Sequence, residues 1–155
     1  MQKRIYIFDL DGTVINSAHR TPFDDKGNLI LDEYVKLATP DNIMRDTLFP
    51  LAAFMRRKIS NGRDLVVICT ARHMSDADFE YLSNNAMRPG LVYSRNGIDK
   101  EHYYMSDAEY KVKHLEIFQR HPYENAHKIM FEDNAAVIQA VSLLPNFTVI
   151  PIKWE

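Results

Sequence analysis

Acidic and hydroxyl side chains follow three apolar segments of the chain, at the point where each segment ends. Asp9 and Asp11 come directly after the first segment, Thr70 after the second, and Glu132 with Asp133 after a later one. If these segments are neighbouring parallel strands, their carboxyl ends meet at the sheet edge where ligands bind in such folds. Carboxylates from two strands repel one another unless a cation lies between them. An all-oxygen donor set suits Mg²⁺, which is therefore the predicted cofactor.

The turn after the first segment has the composition of a phosphate-binding loop. Gly12 and Thr13 follow the second aspartate, and a chain that turns away at this point presents backbone N–H groups to an oxyanion. The hydroxyl of Thr70 can add a further donor. Acids, backbone amides and a hydroxyl around one point predict chemistry on a phosphate ester.

These side chains need a parallel sheet to position them, and the hydrophobic pattern predicts one. Residues 65–69 read Leu-Val-Val-Ile-Cys, a continuous apolar run typical of a strand buried on both faces. Apolar residues at helical spacing between 47 and 60, ended by Asn61-Gly62, predict an amphipathic helix. Strands are expected at residues 4–8, 65–69, 91–93, 128–131 and 147–152, and helices at 47–60, 75–85, 106–119 and 135–144. This alternation predicts an α/β fold, an open and mainly parallel five-stranded sheet with helices on both faces.

Composition predicts one cytoplasmic globular domain over residues 1–155. Of the 155 residues, 46% are hydrophobic, and a chain of this length buries roughly 70% of its unfolded surface. The formal net charge of −2 gives no positive field to recruit nucleic acid or a membrane. Cys69 is the only cysteine, which suits a reducing compartment. The first apolar run ends at Asp9, too early for a signal segment or membrane span, so no membrane partner is expected.

The motifs together resemble those of the haloacid dehalogenase superfamily. Its phosphatases carry Asp-x-Asp-Gly-Thr after the first strand, Ser or Thr after the second, a Lys ahead of a later helix, and paired acids after the fourth strand. All four occur in this order over nearly the whole chain, at residues 8–13, residues 68–72, Lys111 or Lys113, and residues 131–134. The resemblance implies the Rossmann-like core of this superfamily.

The resemblance also implies a role for each motif residue. Asp9 would be the nucleophile that forms an aspartyl-phosphate, which splits hydrolysis into two easier steps. Asp11 would protonate the leaving oxygen and then activate the hydrolytic water. Mg²⁺ would be held by Asp9, the backbone carbonyl of Asp11 and Asp133, with Glu132 acting through a water. Thr70 and a lysine would bind the phosphoryl group, whose charge the lysine and the metal neutralise.

Two lysines lie near the start of the same predicted helix, and their helical positions distinguish them. Lys111 precedes Leu115 by four residues and Phe118 by seven, so it shares the face that packs on the sheet. Lys113 is rotated from Lys111 by about 200° and is expected on the solvent side. Lys111 is therefore the predicted phosphate-binding lysine.

Within the superfamily, the sequence most resembles the 3′-phosphatase domain of polynucleotide kinase/phosphatase proteins. That domain has an Arg two residues after the second-motif Ser or Thr, an Arg after the third strand, and an Asp four residues before its Lys. In this chain Arg72, Arg95 and Asp107 occupy the corresponding places. Paired arginines suit bidentate phosphate recognition. Asn134 departs from the pattern, since the domain usually has Arg there, and no kinase P-loop is present. The predicted substrate-binding residues are Gly12, Thr13, Ala71, Arg72, Arg95 and Asp107.

The sequence leaves no room for a sizeable cap domain over the site. Superfamily caps are inserted after the first motif or after the third strand, and these places offer only residues 16–46 and 94–105. Residues 16–46 are polar and rich in turn signals, so an excursion loop is expected there. An open site admits a large phosphoester or is covered by a partner subunit, so a homo-oligomer is one expectation. Tyr103 and Tyr104 are candidates either to stack on a base or to cover the sheet edge.

Two substrate classes remain open at this point. The leading hypothesis is a Mg²⁺-dependent phosphomonoesterase acting on nucleotide phosphates, most specifically the 3′-phosphate of a polynucleotide end. The alternative is a phosphatase of free mononucleotides or another small metabolite, which Asn134 and the slightly acidic charge favour. A catalytically inactive binding module would have lost Asp9 or Asp11, and both are present.

Overall fold

The computed structural model describes residues 3–96 and 105–154. Its strands are β1 (Arg4–Phe8), β2 (Ile15–Asn16), β3 (Thr47–Leu48), β4 (Leu65–Cys69), β5 (Leu91–Tyr93), β6 (His127–Glu132) and β7 (Phe147–Pro151). Its α-helices are α1 (Leu31–Leu37), α2 (Pro40–Met44), α3 (Leu51–Asn61), α4 (Asp76–Asn84), α5 (Asp107–Leu115) and α6 (Ala135–Val141), with short 3-10 helices at Ala18–Arg20 and Glu116–Gln119. Among the residues described, no helix has both the length and the apolar character needed to cross a membrane. Tyr103 and Tyr104 lie outside the described residues.

Five strands form one parallel sheet in the order β5-β4-β1-β6-β7. The central strand β1 pairs with β4 on one side and β6 on the other, so Phe8 lies beside both Ile68 and Phe131. Because all three strands run in the same direction, the residues that follow each of them meet at one edge of the sheet. The predicted five-stranded α/β sheet is confirmed, and every pair of its strands is parallel.

Apolar side chains cover both faces of the sheet, as expected for parallel strands. Successive residues of β1 point to opposite faces, so Tyr6 and Phe8 join one core and Ile5 and Ile7 join the other. The first core includes residues of α3 and α4, and the second includes residues of α5 and α6. The helices on both faces hold β1 rigidly, which fixes the position of Asp9 at its end.

Two segments differ from the sequence-based prediction. The helix predicted over residues 47–60 begins only at Leu51, because residues 47–48 pair with residues 15–16 as a two-stranded antiparallel sheet. The excursion predicted as a loop over residues 16–46 contains α1 and α2. Helix α2 begins with Pro40 and is capped by the Thr39 side chain, the same pair that suggested a turn. None of the residues of α1 is buried, although Leu31, Tyr34 and Val35 lie at helical spacing.

Candidate active site

Asp9 is the first residue after β1 and is almost fully buried. Its backbone N–H extends the pairing of β1 by donating to the carbonyl of Phe131 at 3.1 Å. Its Oδ2 accepts a hydrogen bond from Thr13 Oγ1 at 2.9 Å, and its Oδ1 accepts one from Lys111 Nζ at 2.7 Å. Two donors on different elements therefore fix the orientation of this carboxylate.

The turn after Asp9, residues 10–15, requires glycine at position 12. The Leu10 carbonyl accepts from the three successive N–H groups of residues 13–15, at 3.0–3.1 Å, which makes the turn tight. Gly12 has a φ of +78°, a conformation that side chains rarely adopt. A Cβ atom on Gly12 would lie 2.1 Å from Oδ2 of Asp133. The turn therefore approaches the end of β6 only because residue 12 has no side chain.

Lys111 joins the end of β1 to the end of β6. Its Nζ donates to Glu132 Oε2 at 2.7 Å as well as to Asp9, and the side chain is buried. Burial alone would lower the pKa of Lys111, but the charges of the two carboxylates raise the pKa well above its ordinary value. Lys111 therefore stays protonated, whereas Lys113 is exposed on the opposite side of α5.

Three carboxylates lie together beside Lys111. Asp9, Glu132 and Asp133 each offer an oxygen, and these atoms lie within 4.8 Å of one another. Glu132 is fully buried, and its Oε1 accepts from the N–H groups of Asp133 and Asn134 at 3.1 Å each. Burial and the charge of Asp9 raise the pKa of Glu132 to about 8, and the same two causes raise the pKa of Asp133. A divalent cation would relieve this crowding, and the all-oxygen donor set fits the Mg²⁺ predicted from the sequence.

The Asp11 side chain pairs with Arg72 rather than joining this acid cluster. Arg72 donates from Nε to Asp11 Oδ2 at 3.0 Å and from Nη2 to Asp11 Oδ1, and its Nη1 donates to Asp78 at 2.6 Å. Ser17 Oγ also donates to Asp11 Oδ1, at 2.8 Å. Burial would raise the pKa of Asp11, but Arg72 and Ser17 together hold the pKa below its ordinary value. Arg72 thus orients Asp11, and Asp78 orients Arg72.

Thr70 and Ala71 form the turn between β4 and Arg72. The Thr70 N–H donates to the Tyr93 carbonyl at 2.9 Å, and Thr70 Oγ1 accepts from the Arg72 N–H at 3.1 Å. The Thr70 side chain is buried next to the end of β1, and its O–H proton remains available for donation. The Ala71 carbonyl accepts from Arg95 Nε at 2.9 Å.

Arg95 and Asp107 are paired with each other. Arg95 Nη2 donates to Asp107 Oδ1 at 2.9 Å and to the Met105 carbonyl at 3.0 Å, and its guanidinium lies 4.7 Å from the ring centre of Tyr110. The two arginines predicted to bind substrate therefore both contact carboxylates of the protein. Arg72 adjoins Asp11, whereas Arg95 supports the turn at Ala71.

Asn134, where the related polynucleotide-directed domain usually has Arg, begins helix α6. Its Oδ1 accepts from the N–H groups of Ala136 and Val137 at 2.9 and 3.2 Å. Asparagine is one of the preferred residues at this helix position because it satisfies N–H groups that have no partner within the helix. The departure from the related pattern therefore has a local structural explanation.

The excursion brings further residues to the site that the sequence analysis missed. Arg20 is only 1% exposed and forms two hydrogen bonds with Asp46, at 2.9 and 2.8 Å, across the base of the excursion. Its guanidinium also lies 5.8 Å from the ring centre of Tyr34, on α1. Burial, followed by the charge of Asp11, raises the pKa of Tyr34. No motif marks these residues, because their roles depend on contacts between distant parts of the chain.

The C-terminal segment also returns to the site. Ile152 N–H donates to the Glu132 carbonyl at 2.8 Å, and two residues later Trp154 Nε1 donates to the Thr13 carbonyl at 2.9 Å. The Trp154 ring stacks on Phe49, with ring centres 5.3 Å apart and planes 12° apart. The only tryptophan of the chain therefore contacts the turn that follows Asp9.

This fold is that of the haloacid dehalogenase superfamily. A haloacid dehalogenase-like hydrolase from Streptococcus pneumoniae superposes with a TM-score of 0.68 at 15% identity, covering 98% of this chain and 85% of that one. A chain of the Pnkp1/Rnl/Hen1 RNA repair complex superposes with a TM-score of 0.65 at 17% identity, covering 99% of this chain and 43% of that one. The Rossmann-like fold that the motif resemblance implied is confirmed.

Sequence comparison assigns the chain to a particular family. The chain belongs to the bacteriophage T5 5′-deoxynucleotidase family, whose model matches residues 1–151. It is 39% identical to the 5′-deoxynucleotidase of Escherichia phage T5 over 155 aligned residues, which include 90% of this chain. The aligned part spans 63% of the length of that relative.

Proposed function

We propose that this protein is a Mg²⁺-dependent phosphomonoesterase that hydrolyses deoxynucleoside 5′-monophosphates through an aspartyl-phosphate. The observation that carries the proposal is the position of Asp9, a buried carboxylate held by Thr13 and Lys111 beside Glu132 and Asp133. Membership of the 5′-deoxynucleotidase family supports the choice of substrate.

In the first step, a carboxylate oxygen of Asp9 attacks phosphorus and the bond from phosphorus to the nucleoside oxygen breaks. Thr13 and Lys111 hold Asp9 in one orientation, and positioning of this kind supplies a large part of catalysis. The Lys111 ammonium and the Thr70 hydroxyl face the phosphoryl oxygens, whose charge they offset. Asp11 enters this step protonated, gives its proton to the departing nucleoside oxygen, and leaves the step as the carboxylate.

In the second step, water attacks the phosphorus of the aspartyl-phosphate, which restores Asp9 and releases phosphate. Asp11 takes a proton from this water, so the same carboxyl acts first as an acid and then as a base. Arg72 and Ser17 fix the Asp11 carboxyl through three hydrogen bonds. The low pKa that they impose favours the ionised form, which is the form needed for this second step.

Asp9, Asp133 and, through a water, Glu132 are the residues that would hold Mg²⁺, together with the Asp11 carbonyl. When bound, the ion withdraws charge from the phosphoryl oxygens. Its support in this chain is the crowding of three carboxylates, because burial and the nearby charge of Asp9 raise the pKa of both Glu132 and Asp133.

The mononucleotide substrate has better support than the polynucleotide 3′-phosphate that led the sequence analysis. The family and its T5 relative are named for 5′-deoxynucleotides, whereas the likeness to the RNA repair complex is one of fold, at 17% identity. Each of the three guanidinium nitrogens of Arg72 already donates to Asp11 or Asp78, which disfavours a bidentate grip on a second phosphate of a strand. We infer that the leaving group is a single nucleoside.

Phosphate release from a panel of substrates tests the proposal. The panel contains deoxynucleoside 5′-monophosphates, their 3′-isomers, ribonucleoside 5′-monophosphates and an oligonucleotide with a 3′-phosphate, each with Mg²⁺ and with EDTA. We expect the highest kcat/KM for the deoxynucleoside 5′-monophosphates, no turnover in EDTA, and none with the Asp9→Asn variant. Preference for the oligonucleotide would overturn the substrate assignment, and turnover by Asp9→Asn would overturn the mechanism.

A further inference from the structure

Trp154 reaches the turn after Asp9 from a distant part of the chain. The segment that carries it leaves β7 and stays paired with β6 through the bond from Ile152 to the Glu132 carbonyl. Trp154 then donates from Nε1 to the backbone carbonyl of Thr13. The segment thus spans the ends of β6 and β1, the two strands that supply the acid cluster.

The same turn is held at its next carbonyl by Phe49. The Phe49 N–H donates to the Val14 carbonyl at 3.0 Å, while Trp154 holds the carbonyl of Thr13 at 2.9 Å. The rings of Phe49 and Trp154 stack on each other, so the two donors brace one another. Two consecutive carbonyls of the turn are therefore fixed by one aromatic pair.

Thr13 links this pair to Asp9. Its side chain is fully buried and donates from Oγ1 to Asp9 Oδ2. A shift of the Thr13 backbone would move this hydroxyl and with it the carboxylate oxygen. Misplacing a reacting group by about 1 Å can reduce a rate a hundredfold.

We propose that Trp154 is a positioning residue for Asp9, acting through the Thr13 carbonyl. The inference rests on the proposed function, because its first readout is the rate of phosphoryl transfer. Trp154 bonds to the backbone carbonyl of Thr13 and not to its side chain, so we expect its loss to affect kcat and to leave KM for the nucleotide nearly unchanged. A residue that merely covers apolar surface would instead change stability and leave kcat intact.

Two substitutions distinguish the contribution of the indole N–H from that of the aromatic ring. Trp154→Phe keeps an aromatic ring to stack on Phe49 and removes the donor, whereas Trp154→Ala removes both. We expect Trp154→Phe to lower kcat about tenfold, the rate equivalent of one lost hydrogen bond, with KM within about twofold of the wild type. Lys153→Ala, an exposed neighbour in the same segment, is the matched control and should behave as the wild type.

A double substitution tests the path through Thr13. Thr13→Val removes the hydroxyl that holds Asp9, so adding Trp154→Phe to that variant should lower kcat by less than twofold more. Substitutions of interacting residues give such non-additive effects, whereas the fold-changes in kcat caused by substitutions of independent residues multiply. A wild-type kcat for Trp154→Phe, or full multiplication of the two effects, would overturn the inference.

Fluorescence supplies a readout that does not depend on turnover. Trp154 is the only tryptophan, so the emission of the protein reports its surroundings. Titration with Mg²⁺, with binding measured in parallel by calorimetry, should change the emission of the wild type and change it less in Thr13→Val. Mg²⁺ binding with no change in emission contradicts the inference. A wild type that releases no phosphate but shows the emission change contradicts the proposed function alone.

Discussion

The carboxylate of Asp133 lies directly against the Cα atom of Gly12, where a Cβ would be 2.1 Å from Oδ2. The DxDGT turn and the acid pair are far apart in sequence, yet they are in direct contact in the fold, where Gly12 leaves the space that the Asp133 carboxylate occupies. The motif glycine therefore sets the distance between the nucleophile candidate and the acids of β6.

Gly12→Ala should lower kcat about a hundredfold, because the added methyl group pushes Asp133 and the turn apart. Mg²⁺ affinity, measured by calorimetry, should fall as well. Gly62→Ala is the matched control, since Gly62 also has a positive φ, +62°, but has open space around its Cα. If both variants lose the same activity, backbone strain rather than contact with Asp133 is responsible.

Lys111→Met should abolish phosphate release and destabilise the fold, whereas Lys113→Met should do neither. The first change leaves Asp9 and Glu132 buried without their common cation, and breaking a buried ion pair costs about 3–5 kcal/mol. Urea denaturation of the two variants measures this difference. An inactive Lys113→Met protein of wild-type stability would move the phosphate-binding role to Lys113.

Without metal, thermal stability should fall as pH rises from about 5 through 8. The folded pKa of Glu132, about 8, lies above its value in an unfolded chain, so the folded state holds more protons in this window and loses stability as they leave. Mg²⁺ should reverse the trend, because it binds the deprotonated carboxylates. Melting temperatures in EDTA and in Mg²⁺ across this range check both signs, and a flat profile in EDTA would contradict the raised pKa.

Tyr34→Ala should raise KM for deoxynucleoside 5′-monophosphates about tenfold, within the range for loss of base–aromatic stacking. Tyr34 is the half-buried residue of α1, and its ring adjoins the guanidinium of Arg20. Val35→Ala, on the next residue and 64% exposed, is the control. A small aryl phosphate should be hydrolysed equally by all three proteins, and an equal loss on that substrate would exclude a contact with the nucleoside.

Arg72→Lys should lower kcat by a similar factor on mononucleotides and on a 3′-phosphorylated oligonucleotide. Lysine keeps the charge but cannot make the two bonds to Asp11 together with the one to Asp78. The defect should therefore lie in the orientation of Asp11, which every substrate needs. A larger loss on the oligonucleotide, with a steeper dependence on salt, would indicate that Arg72 grips a strand.

The parallel sheet, and the residues that it brings to one edge, could be predicted because both depend on local patterns. The run at residues 65–69 and the acids after β1 and β6 are signals within a few residues, and parallel topology then brings their ends together. The spacing of Lys111 from Leu115 likewise placed this lysine on the buried side of α5. These features need no knowledge of what the rest of the chain contacts.

The excursion and the C-terminal segment could not be predicted in this way. Helix α1 is short and buries no residue, and Arg20 is one polar residue among many in the sequence. Trp154 is separated from Thr13 by nearly the whole chain. Their positions follow from long-range packing, which single-sequence periodicity does not record.

The ion pair of Arg20 and Asp46 closes the excursion at its base, next to the pairing of β2 with β3. The residues between them leave and re-enter the fold at two fixed neighbouring points. The entropic cost of closing a loop between such points rises only slowly with the number of residues in the loop. New lengths can therefore be inserted around α1, which buries no residue, whereas Ile43 of α2 belongs to the same core as Phe8 and must be kept. This part of the excursion is in effect an exchangeable cassette, through which one scaffold can acquire different substrates during evolution or by design.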